Sequence, residues 1–260
     1  MKIGMLGCGN IGTFLLEAIN KENDGNEKIV AIYSRNYEKT TSIAQQFGAK
    51  SYETIEEFLK ADIDLVVEVA TIEVVTKYAL PIIERELPLI VSSIGAFSDR
   101  QFLKQVQLAS EENNVHVYIP SGAVGGLDLI QSANVLSGLQ SVELITRKPA
   151  NSLDGAQHVM KEKVIFSGKA KDAIQLYPRN MNVAIAISLA GLGAEKTTVQ
   201  LIADPNVEKN IHTIKAHGDF GEFTIEVKNE AMPKNPKTSY LAALSVLSSI
   251  KEQSRRIKIL

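Results

Sequence analysis

Two hydrophobic rhythms divide the chain near its middle. Up to residue 120, short apolar runs alternate with stretches whose apolar positions recur every three or four residues. KIGML, KIVAIYS, DLVVEVA, LPLIVSS and VHVYIP read as strands, and DLVVEVA has the near-continuous apolarity of a strand buried on both faces. Between them, Ile11, Phe14, Leu15, Ala18 and Ile19 share one helical face. Further helices are predicted over 38–47, briefly after Thr54, over 72–86, and after Ser98. Gly48 is placed as a C-cap, and Thr54-x-x-Glu57 and Ser98-x-x-Gln101 have the form of capping boxes. Pro81 predicts a kink. Strand and helix in regular alternation imply a parallel, doubly wound sheet that ends near Pro120.

Beyond that point the rhythm changes. One helix follows SGAVGGLD, and VELITRK (142–148) and KVIFSG (163–168) read as strands. A helical stretch over 180–193 precedes the strand TTVQLIA. Next comes a hairpin, NIHTIKAHGDFGEFTIEVK, in which Phe223, Ile225 and Val227 alternate with Glu222, Thr224, Glu226 and Lys228. Such alternation marks a strand covered on one face only, so a mixed or antiparallel sheet with helices on one side is expected. The other side is left for substrate, cofactor domain or a second subunit. A last helix, roughly 239–252, carries Tyr240, Ala243, Leu244, Leu247 and Ile250 along one stripe. The expected organisation is α/β: an N-terminal sheet domain over 1–120, an α+β catalytic or dimerisation domain over 121–238, and a C-terminal helix over 239–260.

The first chemistry lies in the turn after the first strand. Gly7-x-Gly9-x-x-Gly12 stands between strand and helix, which gives each glycine a task. Gly7 permits the tight turn, Gly9 admits a pyrophosphate close to the backbone, and Gly12 lets the helix pack against the strand. Unpaired N–H groups at the helix start, with Asn10 and Ile11 in the same turn, complete a phosphate cradle. This is the fingerprint of a Rossmann dinucleotide-binding domain. The second strand ends at Ser34-Arg35, where an NAD-selective site usually carries an acid for the ribose 2′-hydroxyl. A planar, permanently charged Arg35 fits a 2′-phosphate instead, so NADP, or dual use with NAD, is expected over strict NAD.

Composition narrows the class. The 260 residues are 45% hydrophobic and 22% charged, with a net charge of −2, which gives no electrostatic case for nucleic acid or an anionic membrane. A single cysteine, Cys8, excludes an intrachain disulfide framework. No apolar window approaches a membrane span, and MKIGMLGCGNIG does not read as a secretory signal. A cytoplasmic protein is expected, with no metal site.

Polar residues gather in the second half. SGAVGG follows the last strand of the first domain, ITRKP places Arg147 and Lys148 at a strand end, and NPKTS places Lys237, Thr238 and Ser239 at a helix start. Cations and helix-start N–H groups suit a carboxylate-bearing substrate. Taken singly, each also fits a solvated charge or an ordinary cap, as do Asn180 and Asn182.

Together these stretches resemble the L-aspartate dehydrogenase family. The resemblance is carried by GCGNIG, SIGAFSD (93–99), SGAVGGLD (121–128), ITRKP (145–149), YPRNMNVA (177–184), ADPNVEKNIHTIKAHGDFG (203–221) and NPKTS (235–239). It implies oxidative deamination of L-aspartate to iminoaspartate, which hydrolyses to oxaloacetate and ammonia or feeds pyridine-nucleotide biosynthesis. It also implies that His212 is the catalytic histidine and that Ala123 and Asn182 contact the nicotinamide. Ser34-Arg35 departs from the acid that many relatives carry.

Two rival classes remain at the level of sequence: another NAD(P)-dependent oxidoreductase of this architecture, and a non-catalytic NADP(H)-binding redox sensor. The first would show Glu-Lys-Pro where this chain has SSIGAF, or adjacent histidines, and the chain has neither. The second has no need of a polar cluster around His212. That histidine shares its strand face with Ile214 and Ala216, which by itself fits a packed core residue. The reaction decides for chemistry, because hydride leaves the α-carbon only from a neutral amine and a base must take the ammonium proton. His217, His116 and His158 carry no such signal. A homodimer through the open sheet face completes the expectation.

Overall fold

The computed structural model describes residues 1–22, 25–153, 155–178, 181–233 and 235–258, with backbone alone at 236 and 237. It divides into two units, one of residues 1–120 with the C-terminal helix from 243, the other of residues 121–242.

The first unit alternates strand and helix: β1 (Lys2–Leu6), α1 (Asn10–Leu16), β2 (Lys28–Tyr33), α2 (Tyr37–Gln46), β3 (Lys50–Tyr52), α3 (Ile55–Phe58) and β4 (Leu65–Glu68). It continues with α4 (Ile72–Ile83), β5 (Leu89–Val91), α5 (Arg100–Glu112) and β6 (Val117–Tyr118). The six strands pair in the order β3-β2-β1-β4-β5-β6, and every pairing is parallel. All four residues of β4 are buried, as its apolar run requires. The order reverses beside β1, which places the glycine turn at the switch point of the sheet.

The caps follow side-chain chemistry. Thr54 accepts from the Glu57 N–H as its capping box predicts, and Thr71 does the same for Val74 at the start of α4. Ser98 does not cap α5. Asp99 does, accepting from the N–H groups of Gln101 and Phe102, while Ser98 donates to the Gly95 carbonyl and closes a 3-10 turn over Ile94–Ser98. A carboxylate one residue later reaches two orphan donors where the hydroxyl would reach one.

The second unit holds α6 (Leu127–Asn134), β7 (Leu139–Pro149), β8 (Lys163–Lys169), α7 (Ala170–Leu176), α8 (Asn182–Ala190), β9 (Thr198–Asp204), β10 (Asn210–Gly218) and β11 (Gly221–Asn229). Its sheet runs β11-β10-β7-β9-β8, with β7 and β9 parallel and the other pairs antiparallel. One face is the core: Val142, Leu144, Val199, Leu201, Ile214 and Ala216 pack with Ile130, Ala184 and Ile187 from the helices. A small ladder of β12 (Ala231–Met232) and β13 (Asn235–Ser239) leads into α9 (Tyr240–Ser254).

Two expectations are refined here. Lys237, Thr238 and Ser239 lie in a strand that runs straight into a helix start: β13 pairs with β12, and α9 begins at Tyr240, next to Ser239. The buried stripe of α9 is Ala243, Val246 and Ile250; Leu244 is exposed. Val246 and Ile250 enter the core of the first unit beside Leu15, Ile19 and Ile29, which ties the C-terminal helix to that unit.

Candidate active site

The glycine turn has the steric profile its spacing demands. Gly7 holds φ at +100°, a conformation that L side chains rarely adopt, and its N–H donates to the Tyr33 carbonyl. A Cβ at Gly12 would stand 2.7 Å from the Gly7 carbonyl oxygen, so only glycine permits this approach of helix to turn. At Gly9 a Cβ would meet nothing within 4 Å. Gly9 therefore does not serve internal packing; it borders open space at the N-terminus of α1, where no side chain caps the helix. These residues fit a dinucleotide pyrophosphate, with Asn10 exposed and Ile11 half-buried in the first helical turn.

Ser34 is half-buried at the end of β2, and Arg35 is exposed beside it. The Thr71 hydroxyl and, more weakly, the Arg35 charge hold the Glu73 carboxyl below its usual range, which places Arg35 near the start of α4. Sequence reading missed Glu68 on the same edge of the sheet. Its buried carboxylate accepts from the Ala70 N–H at 2.7 Å, the Ser93 N–H at 2.9 Å and the Ser93 hydroxyl at 2.8 Å. Burial pushes this carboxyl up, and those bonds hold part of the rise back. It clasps together the loops that follow β4 and β5. The available signal was one acid inside the apolar run DLVVEVA.

In the second unit, His212 lies on β10 directly opposite Thr146 of β7 and Val227 of β11. Its side chain is 5% exposed, on the core face with Ile214 and Ala216, while Lys215 on the opposite face is exposed. Nδ1 stands 3.0 Å from the Thr146 hydroxyl, itself buried. Lys148, two residues beyond Thr146 on β7, shares that face. Burial first, then the Lys148 charge, push the imidazole down to about 4 from an ordinary 6.5. So lowered, the ring is held in its neutral form near neutral pH. Burial also lowers the Lys148 ammonium. A neutral imidazole beside a partly desolvated cation can accept a proton, and the cation can draw a carboxylate toward it.

A second polar residue, Asn229, was not anticipated. It ends β11, is 4% exposed, donates from Nδ2 to the Ala123 carbonyl at 3.0 Å, and accepts at Oδ1 from the Ser239 hydroxyl at 2.5 Å. Two sequence candidates, Ala123 and Ser239, thus meet at one amide. Thr238 is bonded instead by the Asn235 amide at 2.7 Å. Asn182 is exposed in the first turn of α8 and caps nothing. The Lys237 side chain and Asn180 lie outside the described residues. Arg147 is no solvated strand-end charge: it pairs with Glu162 and Asp204, each at 2.6 Å. Among the described residues no group of acids, histidines and cysteine forms a metal site, and no helix is long and apolar enough to cross a membrane.

A nicotinamide-dinucleotide-dependent oxidoreductase is the class that this fold and glycine turn define, and residues 7–120 match the family described as homoserine dehydrogenase, NAD binding domain. Residues 128–253 match aspartate dehydrogenase, C-terminal. The chain is 40% identical to the L-aspartate dehydrogenase of Methanosarcina barkeri, over 97% of this chain and 96% of that one. The enzyme of the same description from Methanospirillum hungatei is 39% identical over 96% of each. The crystal structure of aspartate dehydrogenase from Thermotoga maritima superposes with a TM-score of 0.83 at 29% identity, covering 100% of this chain and 99% of the other. A scyllo-inositol dehydrogenase from Lactobacillus casei, at 12% identity and a TM-score of 0.57 over 96% of this chain and 85% of its own, shares the fold alone. This chain belongs to the L-aspartate dehydrogenase family.

Proposed function

We propose that the protein oxidises L-aspartate to iminoaspartate, using NADP or NAD, with His212 as the acid–base residue. The observation that carries this reading is the buried imidazole of His212 on the core side of the sheet, bonded to Thr146, with burial and the Lys148 charge lowering its proton affinity. A bound nicotinamide supplies the hydride acceptor. The chain's own part is to take the ammonium proton, so that the nitrogen lone pair can follow as hydride leaves the α-carbon. Aspartate brings two carboxylates, whose negative charge raises the proton affinity of a histidine that is otherwise a weak base. Lys148 and the β13 residues Lys237, Thr238 and Ser239 are the proposed carboxylate contacts, with Ala123 and Asn182 toward the nicotinamide.

Iminoaspartate then hydrolyses to oxaloacetate and ammonia or enters pyridine-nucleotide synthesis. Exposed Arg35 supports use of NADP alongside NAD. We further propose a homodimer through the outer face of the second sheet, where half-buried Ile145 and Thr213 pair across strands. The direct test follows cofactor reduction with L-aspartate, comparing the protein with His212→Asn. Asparagine keeps approximate size but takes up no proton near neutral pH, so kcat is expected to fall about 100-fold or more with cofactor affinity retained. An unchanged kcat would return His212 to a packing role.

A further inference from the structure

A buried primary amide needs both of its ends bonded, because each polar atom left without a partner costs about 1–3 kcal/mol. Asn229 meets this requirement with two partners: the Ala123 carbonyl, 106 residues away, and the Ser239 hydroxyl, ten residues away. The two bonds have a direction. The Ala123 carbonyl can only accept, which fixes Nδ2 toward it and excludes the flipped amide; Oδ1 is left to accept from the Ser239 hydroxyl, which braces the amide from the other end. Ser239 is itself held by the ladder, where it pairs with Ala231. One chain of contacts thus links the ladder, Ser239, Asn229 and the Ala123 carbonyl.

Ala123 sits in Ser121–Gly126, a segment with three glycines and no regular structure before α6. Such a segment has large backbone freedom, and a bond from a rigid strand end removes it. An apolar residue at position 229 would fill the same space and continue the sheet, but would leave the carbonyl of Ala123 unheld.

We propose that Asn229 is a positioning residue for hydride transfer: braced by Ser239, it pins the Ala123 carbonyl and so sets the loop that faces the nicotinamide. The role rests on the assignment of Ala123 to the nicotinamide, and it adds a residue that touches neither substrate nor cofactor. It also makes Ser239 do two things, bracing Asn229 and bordering the substrate.

The test is single-turnover hydride transfer, with enzyme saturated in cofactor and mixed with L-aspartate. The first-order rate constant reports geometry, while the amplitude reports the folded fraction. Asn229→Leu is close in volume and needs no partner; Asn229→Asp keeps the acceptor for Ser239 but places a carboxylate oxygen against the Ala123 carbonyl. Both are expected to lower the rate constant by about tenfold to 100-fold, the scale of a small misplacement of reacting groups. Loss of amplitude with an unchanged rate constant would mean that Asn229 only supports folding, and would overturn the proposal. Ala123→Val separates the two levels. If it raises the KM for cofactor while Asn229→Leu transfers hydride at the normal rate, the positioning role fails alone. If neither variant changes cofactor kinetics, the assignment of the loop fails, and this role with it.

Discussion

Replacing His212 by asparagine should alter how stability depends on pH, independently of any catalytic effect. In the folded protein the imidazole is pushed down to about 4, whereas in the unfolded chain it returns to about 6.5. Between those values the unfolded state binds a proton that the folded state refuses. Stability from this group is therefore complete above pH 6.5 and is lost as pH falls toward 4. A displacement of that size corresponds to about 3 kcal/mol in full, of which about 2 kcal/mol is lost between pH 7 and pH 5. The cause is physical and local: charging the ring would strand a cation on the apolar face, beside Leu144 and Ile214 and within reach of Lys148. Asparagine has no such titration. Urea unfolding of both proteins at closely spaced pH values gives the difference in stability, from which the many carboxylates common to both cancel. That difference should move by about 2 kcal/mol in favour of the variant between pH 7 and pH 5. Parallel stability curves would refute the reasoning, and would mean that His212 is protonated without penalty and so is not the dry, neutral base proposed.

The remaining predictions concern the cofactor and the substrate. Gly12→Ala drives a Cβ to 2.7 Å from the Gly7 carbonyl oxygen and should destabilise the protein by about 1–3 kcal/mol, read from thermal unfolding without cofactor. Gly9→Ala meets open space, so its stability should stay within about 1 kcal/mol of the parent while the KM for cofactor rises about tenfold or more, the worth of a lost bond to phosphate. Equal behaviour of the two variants would contradict the division of tasks in the turn. Arg35→Glu should raise the KM for NADP about tenfold more than that for NAD, since a charge-assisted bond becomes a repulsion; unchanged discrimination removes Arg35 as the reader of the 2′-phosphate. L-Aspartate should exceed L-alanine in kcat/KM by about 10- to 100-fold, the value of one charged contact, and equal rates would sink recognition of the side-chain carboxylate.

Features whose physics is local could be read from the chain. The glycine turn is one, because tight turn, close approach and helix packing are requirements on consecutive backbone positions. The Thr54 cap is another, and so is the alternation that sends His212 to the same face as Ile214 and Ala216. Parallel topology also followed, since alternating strands and helices leave few other ways to bury apolar runs. What tertiary structure decided is everything that depends on pairing across the chain. Thr146 meets His212 only because β7 and β10 pair in that register; one residue of slip would turn both side chains to opposite faces. The low proton affinity of His212 comes from burial and from Lys148, neither of which a motif records. Asp99 displaced Ser98 as a cap through loop geometry that spacing does not specify, and Lys237–Ser239 became a strand because a two-residue partner lay nearby. Asn229 and Glu68 were illegible for the same reason. An amide at a strand end and an acid in an apolar run acquire their meaning from the carbonyl, hydroxyl and N–H groups that folding brings to them, and those partners lie on other elements of the chain.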